Sequence, residues 1–289
     1  MPVEFFQAPS GTRVKQSFDS PTVYLDHWAI RLFSDDIALQ DRLVAALLGK
    51  GGTLLLSMIS LGEFAGPSDP RHVDDAEAFI ERLLPNIYLT DFAFDKVLDR
   101  EHLEADNSTR FWPSADLPQL KLLSERPQNP PLGVTMHGFI RMSYENREVI
   151  GQMMKGLAQQ IAGGIKDARA DPSYISKAKM VKPDDTRPRT HVIIGELMRE
   201  YYLNPGLPIK ENDIVDMLHT AMPINCCDYV LLDGAWEERV AKMKKRVEKN
   251  GSHMPLAKCF SRRNDGVRSF LSDLEAFDQH RLLKPALPY

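Results

Sequence analysis

The chain has 289 residues, 43% of them hydrophobic, enough for one large domain or two small ones around a real core. Its 36 basic and 40 acidic residues leave a net charge of -4, so no global basic field announces a nucleic-acid binder. No apolar run is long enough for a bilayer span or a secretory leader, and a cytoplasmic protein without membrane contact is the expectation.

Residues 1–20 carry no periodic pattern and read as a loosely tied N-terminal arm. Thr22 to Asp26 is a short β-branched and aromatic run closed by a carboxylate, the pattern of a buried parallel strand with an acid at its carboxyl end. A helical turn follows over Trp28 to Phe33. Asp35 or Asp36 then caps a second helix, in which Ile37, Leu39, Leu43, Ala46 and Leu47 recur at helical spacing until Gly49. Thr53 to Ser57 is the second strand, and the segment after it ends at Gly66 and Pro67. A helix from about His72 to Leu84 leads into a third strand over Asn86 to Thr90. Strand, helix, strand, helix, strand is the order of a parallel sheet with helices on both faces.

Asp91 to Ala105 reads as a helix, and residues 106–133, with five prolines, as an irregular excursion. Residues 134–170 lack proline and read as a long amphipathic helix or hairpin, with Met136, Phe139, Ile140, Ile150, Met153, Leu157, Ile161 and Ile165 largely on one face and Gly163 and Gly164 as the bend. Residues 171–189 are polar and basic, a surface loop. The α/β pattern resumes with a helix over His191 to Tyr202, another from Asp213 to Ala221 capped by Asn212, a strand over Asp228 to Leu232 and a basic helix from Gly234 to Lys249. One short helix near Val267 to Phe277 closes the chain. Three cysteines, Cys226, Cys227 and Cys259, form neither a disulfide framework nor a zinc pattern and read as reduced core thiols. The domain expectation is thus an arm (1–20), an α/β core (21–95 and 190–250), a mostly helical insertion (96–189) and a C-terminal extension (251–289).

Each acid near a strand end has a plain structural reading. Asp26 suits a helix cap, Ser60 and Glu63 suit a capping box, Asp213 suits a positive first turn, and Asp233 before Gly234 suits a turn. The set says more. Asp26 and Asp233 end strands, Glu63 lies one turn past a strand, and Asp213 and Asp216 share a helical face, so a parallel sheet brings all of them to one edge. Two carboxylates about 5 Å apart repel by about 3 kcal/mol at an effective dielectric of about 20. A cluster of them calls for cations, and all-oxygen ligands select Mg²⁺ or Mn²⁺ over Zn²⁺. Such clusters hydrolyse phosphodiesters.

In that order, Thr22-Val-Tyr-Leu-Asp26, Ser57-Met-Ile-Ser-Leu-Gly-Glu63, Asn212-Asp-Ile-Val-Asp-Met-Leu-His219 and Cys227-Asp-Tyr-Val-Leu-Leu-Asp233 resemble the four acidic motifs of PIN-domain ribonucleases. The resemblance spans about 20–90 and 190–249. It implies a three-layer α/β/α sandwich around a mainly parallel sheet, Mg²⁺ or Mn²⁺ in an acidic pocket and cleavage of RNA; many members are toxins of toxin/antitoxin pairs. Carried over, Asp26, Glu63, Asp216 and Asp233 become the catalytic metal-binding acids, with Asp213 and Asp228 as supporting ligands. The chain departs from the family's pattern at His27 and Trp28, where a small hydroxyl residue and Asn are usual, at Leu232, where Thr or Ser is common, and at Gly234, where the last acid often sits.

For holding RNA, the basic groups singled out are Lys242, Lys245 and Arg246 on the last helix of the core, with Lys182, Arg187 and Arg189 in the insertion. His191 and His219 fall near the acidic edge, where a lone His on an apolar helix is more often a core residue than a catalytic one. Alternatives from other classes are a catalytically silent PIN-like scaffold for a protein partner and a structure-specific DNA nuclease; an antitoxin and a homodimer are left open.

Overall fold

The computed structural model describes the chain apart from residues 1–2, 9–10, 64–68, 91–95, 98, 100, 102–112, 114, 117–135, 180–187, 252–253 and 279–289. An antiparallel hairpin, β1 (Val3–Ala8) and β2 (Gly11–Gln16), occupies the segment expected to be a loose arm. Five parallel strands then form one sheet: β3 (Thr22–Leu25), β4 (Thr53–Ser57), β5 (Ile87–Thr90), β6 (Tyr229–Leu231) and β7 (Lys258–Phe260), in the spatial order β5-β4-β3-β6-β7. β7 was missed in the sequence because Lys258 to Phe260 is short and lies past the basic helix; the C-terminal extension is therefore part of the sheet.

Period-two alternation splits each central strand between two cores. Val23 and Leu25, Leu54 and Leu56, Ile87 and Leu89 pack with Ala29, Ile30 and Phe33 of α1 (His27–Asp35), with α2 (Ile37–Gly49), with α4 (Arg71–Glu81) and with α11 (Gly266–Glu275). Tyr24, Leu55, Tyr88 and Val230 pack on the other face against α8 (Arg189–Leu203), α9 (Glu211–Cys226) and α10 (Gly234–Lys249). The fold is α/β, with a helical layer on each face of a parallel sheet. Among the described residues no helix is long and apolar enough to cross a membrane. Cys226 and Cys227 are buried and Cys259 half-buried, none of them in a disulfide.

Several local expectations change. The short helix α3 (Met58–Glu63) is capped by Ser57, whose Oγ accepts the Ser60 N–H at 3.0 Å, so Ser60 and Glu63 form no capping box. Asn212 lies inside α9, whose N-cap is Lys210. The insertion contains α5 (Phe139–Glu145) and α6 (Arg147–Ala170), which break at Asn146, while α6 runs straight through Gly163 and Gly164. Its buried face is Ala158, Ala162, Ile165 and Ala168, so Met153 and Leu157 of the expected apolar stripe stand partly exposed. The supposed basic loop starts as a helix, α7 (Pro172–Lys179). Of the expected helix over 91–105, Lys96, Val97, Asp99 and Glu101 are helical; its remainder and most of the proline-rich excursion lie outside the described residues. Glu77 of α4 ties the insertion to the core: its buried carboxylate accepts the N–H groups of Gly138 and Arg141, both at 2.8 Å, at the start of α5.

Asp228 sits at the amino end of β6, the opposite end of the sheet from Asp26, and is not a supporting acid. Its buried carboxylate accepts the Thr22 N–H at 2.8 Å and the Thr22 hydroxyl at 2.9 Å, clasping β6 to β3. Asp228→Ala leaves the Thr22 amide buried without an acceptor and is expected to lower unfolding stability by about 2 kcal/mol, read by urea denaturation, with divalent-cation binding unchanged.

Candidate metal centre

The carboxylates gather where the sheet reverses direction. Chain order runs from β3 outward to β5, then returns to β6 on the other side of β3, so the β3/β6 boundary is a topological switch point, and ligands of open α/β sheets bind outside the carboxyl ends of strands at such a point. Leu25 pairs with Leu231, and the Asp26 N–H donates to the Leu231 carbonyl at 3.0 Å. This places Asp26 beside Asp233. Asp26 caps α1 through the His27 N–H at 2.8 Å, and Asp233 caps α10 through Ala235 and Trp236 at 2.7 and 3.1 Å. The capping reading of Asp26 therefore holds, Asp233 proves to be a helix cap where a turn was expected, and both acids still share the edge.

Glu63 comes from the end of α3, and Asp216 from the second turn of α9. Trp236 Nε1–H donates to Asp216 Oδ2 at 3.2 Å. Asp213, three residues earlier, accepts the Tyr201 hydroxyl at 2.8 Å, and Arg239 in turn donates to the Tyr201 oxygen at 2.8 Å while stacking over the Tyr201 and Trp236 rings. A cleft of about 940 Å³ opens over Glu63 and Asp216 and is also lined by His27, Arg31, Arg147 and Asn212. Arg147 belongs to α6, so the insertion forms one wall.

Electrostatically the acids are poised against each other. Burial, then the charges of Asp216 and Asp233, raise Asp26 from 3.8 to about 6. Burial, with Asp233 and Asp213 adding repulsion, likewise raises Asp216 to about 6. Burial together with Asp26 and Asp216 pushes Glu63 well above the usual carboxylate range. Burial depresses His219, one helical turn after Asp216, to about 3, and lowers His27 less.

Among the described residues no three of these acids bring oxygens within 4.8 Å of one another; the group that does is Asp35, His72 and Asp75, where the Arg31 guanidinium already supplies the counter-charge, 3.7 Å from Asp35 and 3.0 Å from His72 Nε2. Glu63 Oε2 is buried with no hydrogen-bond partner among the described residues, as a carboxylate awaiting a ligand would be. The hard-oxygen set of Asp26, Glu63 and Asp216 fits Mg²⁺ or Mn²⁺.

Of the cationic residues chosen from the sequence, the described ones, Lys242, Lys245, Arg246 and Arg189, do not line the cleft. Arg189 is a buried structural residue bonded to Asn225. Arg246 pairs with Glu196 at 2.7 Å and Lys242 with Glu238 at 2.8 Å, while Lys245 lies exposed on the same helix. Lys182 and Arg187 lie outside the described residues. The basic groups near the acids are instead Arg31 and Arg147, with Arg262 stacked 4.6 Å over Trp28 and Arg263 packed against Gly234, where a Cβ would come within 2.9 Å of three of its atoms. A basic run on a helix is visible in sequence; the meeting of Arg31 from α1 with Arg147 from α6 over the acids is not. Comparison with protein-family models, curated proteins and solved structures finds no match.

Asp26 binds protons in the folded state up to about pH 6 but only to about 3.8 when unfolded, so its charge removes stability as pH rises from about 4 to 6. His219 acts the other way, costing stability as pH falls from 6.5 toward 3. Comparing wild type with Asp26→Asn isolates the first effect, since Asn keeps the cap. Without divalent cations the variant is expected to be more stable by about 2 kcal/mol at pH 7, with the gap closing below pH 4; chemical denaturation across pH reads it.

Proposed function

We propose that the protein is a metal-dependent endoribonuclease with a PIN-like site, hydrolysing RNA phosphodiesters at the edge shared by Asp26, Glu63, Asp216 and Asp233. The observation that carries the reading is the meeting of these acids, from four separated motifs, at the switch point of a parallel sheet under an open cleft. Asp26, Glu63 and Asp216 would hold Mg²⁺ or Mn²⁺, with Asp233 adjoining and Asp213 held by Tyr201 as a reserve of negative charge. A cation bound there would supply an activated water and neutralise charge on the phosphodiester oxygens.

The chain's own groups do the rest. The Trp236 indole fixes one Asp216 oxygen and leaves the other available. The His27 N–H fixes Asp26 in the same way. Arg31 and Arg147 offer guanidinium groups for backbone phosphates on the cleft wall, the geometry for which Arg is suited. Water reaches the acids through the cleft, and the two helix N-termini that Asp26 and Asp233 cap add positive potential to the same edge.

A partner-binding scaffold is the second reading, favoured by one observation: Val149 and Met153 of α6 are 68% and 54% exposed. Cleavage of structured RNA, single-stranded RNA and single-stranded DNA in Mn²⁺, Mg²⁺ or EDTA separates the two. Metal-dependent RNA cleavage that falls by at least about 100-fold in Asp26→Asn and in Glu63→Gln is expected. No cleavage together with no Mn²⁺ binding sinks the nuclease reading in favour of the scaffold, and cleavage of DNA alone reassigns the substrate. For an active enzyme, Arg31→Ala combined with Arg147→Ala is expected to raise KM for RNA by about tenfold and flatten its salt dependence, with Mn²⁺ affinity unchanged.

A further inference from the structure

A polar circuit lies buried beneath the acids. The Ser57 and Ser60 hydroxyls meet at 2.8 Å, and Ser60 bonds to the Tyr24 phenol. The Tyr24 hydroxyl lies 2.9 Å from His219 Nδ1, and His219 Nε2 lies 3.4 Å from Glu63 Oε1. Ser60 and Glu63 are three apart on α3, so the polar groups run from one turn of that helix round to the next, the His219–Glu63 step being a 3.4 Å ion-pair approach and not a formed hydrogen bond. Tyr24 and His219 are among the most deeply buried side chains, 1% and 2% exposed, within a core of Leu55, Ile214, Met217 and other apolar groups. A phenol and an imidazole in such a place cost more than Phe and Leu unless each is bonded, so packing alone does not account for them.

Their placement does. Each of the three segments that carries an acid of the ligand set also carries a member of the circuit: Tyr24 stands two residues before Asp26, Ser60 one turn before Glu63, and His219 one turn after Asp216. We propose that Tyr24 and His219 are positioning residues, a buried strut that holds the Glu63 carboxylate toward the cation and keeps it in register with Asp26 and Asp216. The strut rests on the metal-site reading above. A ligating carboxylate can only accept, so the ring nitrogen facing Glu63 carries the proton and Nδ1 accepts the Tyr24 hydroxyl, which fixes both tautomer and ring orientation.

The test measures Mn²⁺ affinity by calorimetry, alongside circular dichroism and thermal melting, for full-length wild type, the double variant Tyr24→Phe/His219→Leu, Tyr24→Phe alone and His219→Gln. Removing both polar partners together leaves the fold and melting temperature close to wild type. Mn²⁺ binding is expected to weaken by about 10–100-fold, and His219→Gln, whose amide both donates and accepts, to recover most of that loss. A folded double variant that binds Mn²⁺ like wild type overturns the strut and leaves the metal site standing. Should the double variant fail to fold, Tyr24→Phe decides: a several-fold weaker affinity supports the strut, and an unchanged one overturns it. Wild type that binds no Mn²⁺ overturns the metal reading and the strut together.

Discussion

The pairing of β3 with β6 is the contact on which the site depends. Neighbours in space but about two hundred residues apart in sequence, these strands are the only place where the two halves of the α/β core lie edge to edge among the described strands. The parallel register of Leu25 with Leu231 carries Asp26 and Asp233 to the same rim, and α9, entering the strand from the other side, adds Asp216. Glu63 arrives one strand further along, at the end of the short helix that continues β4. None of these acids needs an irregular backbone; each stands at the junction of a strand and a helix, or in a helix, where regular secondary structure already puts it.

That arrangement sets folding against function. Burial and mutual repulsion raise three carboxylates together, so charge at the rim costs stability that the rest of the fold must supply. Restraint comes from two sides: helix N-termini and indole donors hold the outer acids, and a wholly buried set of hydroxyl and imidazole groups backs the inner one. The apolar packing on both sheet faces has to offset that cost, since a folded domain keeps only a small net stability.

Much of this was legible in the sequence, for a physical reason. The strands at 22–25, 53–57 and 87–90 are short runs of β-branched, leucyl and aromatic residues bounded by Pro, Gly or Asp, and acid at a strand end is a local signal. What failed was non-local. Asp228 and Asp233 look equivalent in sequence, each beside the same strand, and only the register with Thr22 shows that one clasps the far end. Arg189 reads as a surface cation until Asn225 is seen to bury it. His219 was rightly expected in the core, yet burial and contact with Glu63 prove compatible, and helical spacing from Asp216 was the signal that could have joined them. The hairpin of β1 and β2 and the closing strand β7 were too short, or too polar, for periodicity to report.

The clasp between Asp228 and Thr22 has a mechanical side. It fastens β3 to β6 at their amino ends, whereas the carboxyl ends of the same two strands bear charges that push apart. A ladder pinned at one end and prised at the other breathes asymmetrically: amides near the rim exchange through small local openings, while those near the clasp exchange only when the whole sheet comes apart. Any opening at the rim can therefore stay local to the strand ends, without a hinge or a rearrangement of domains.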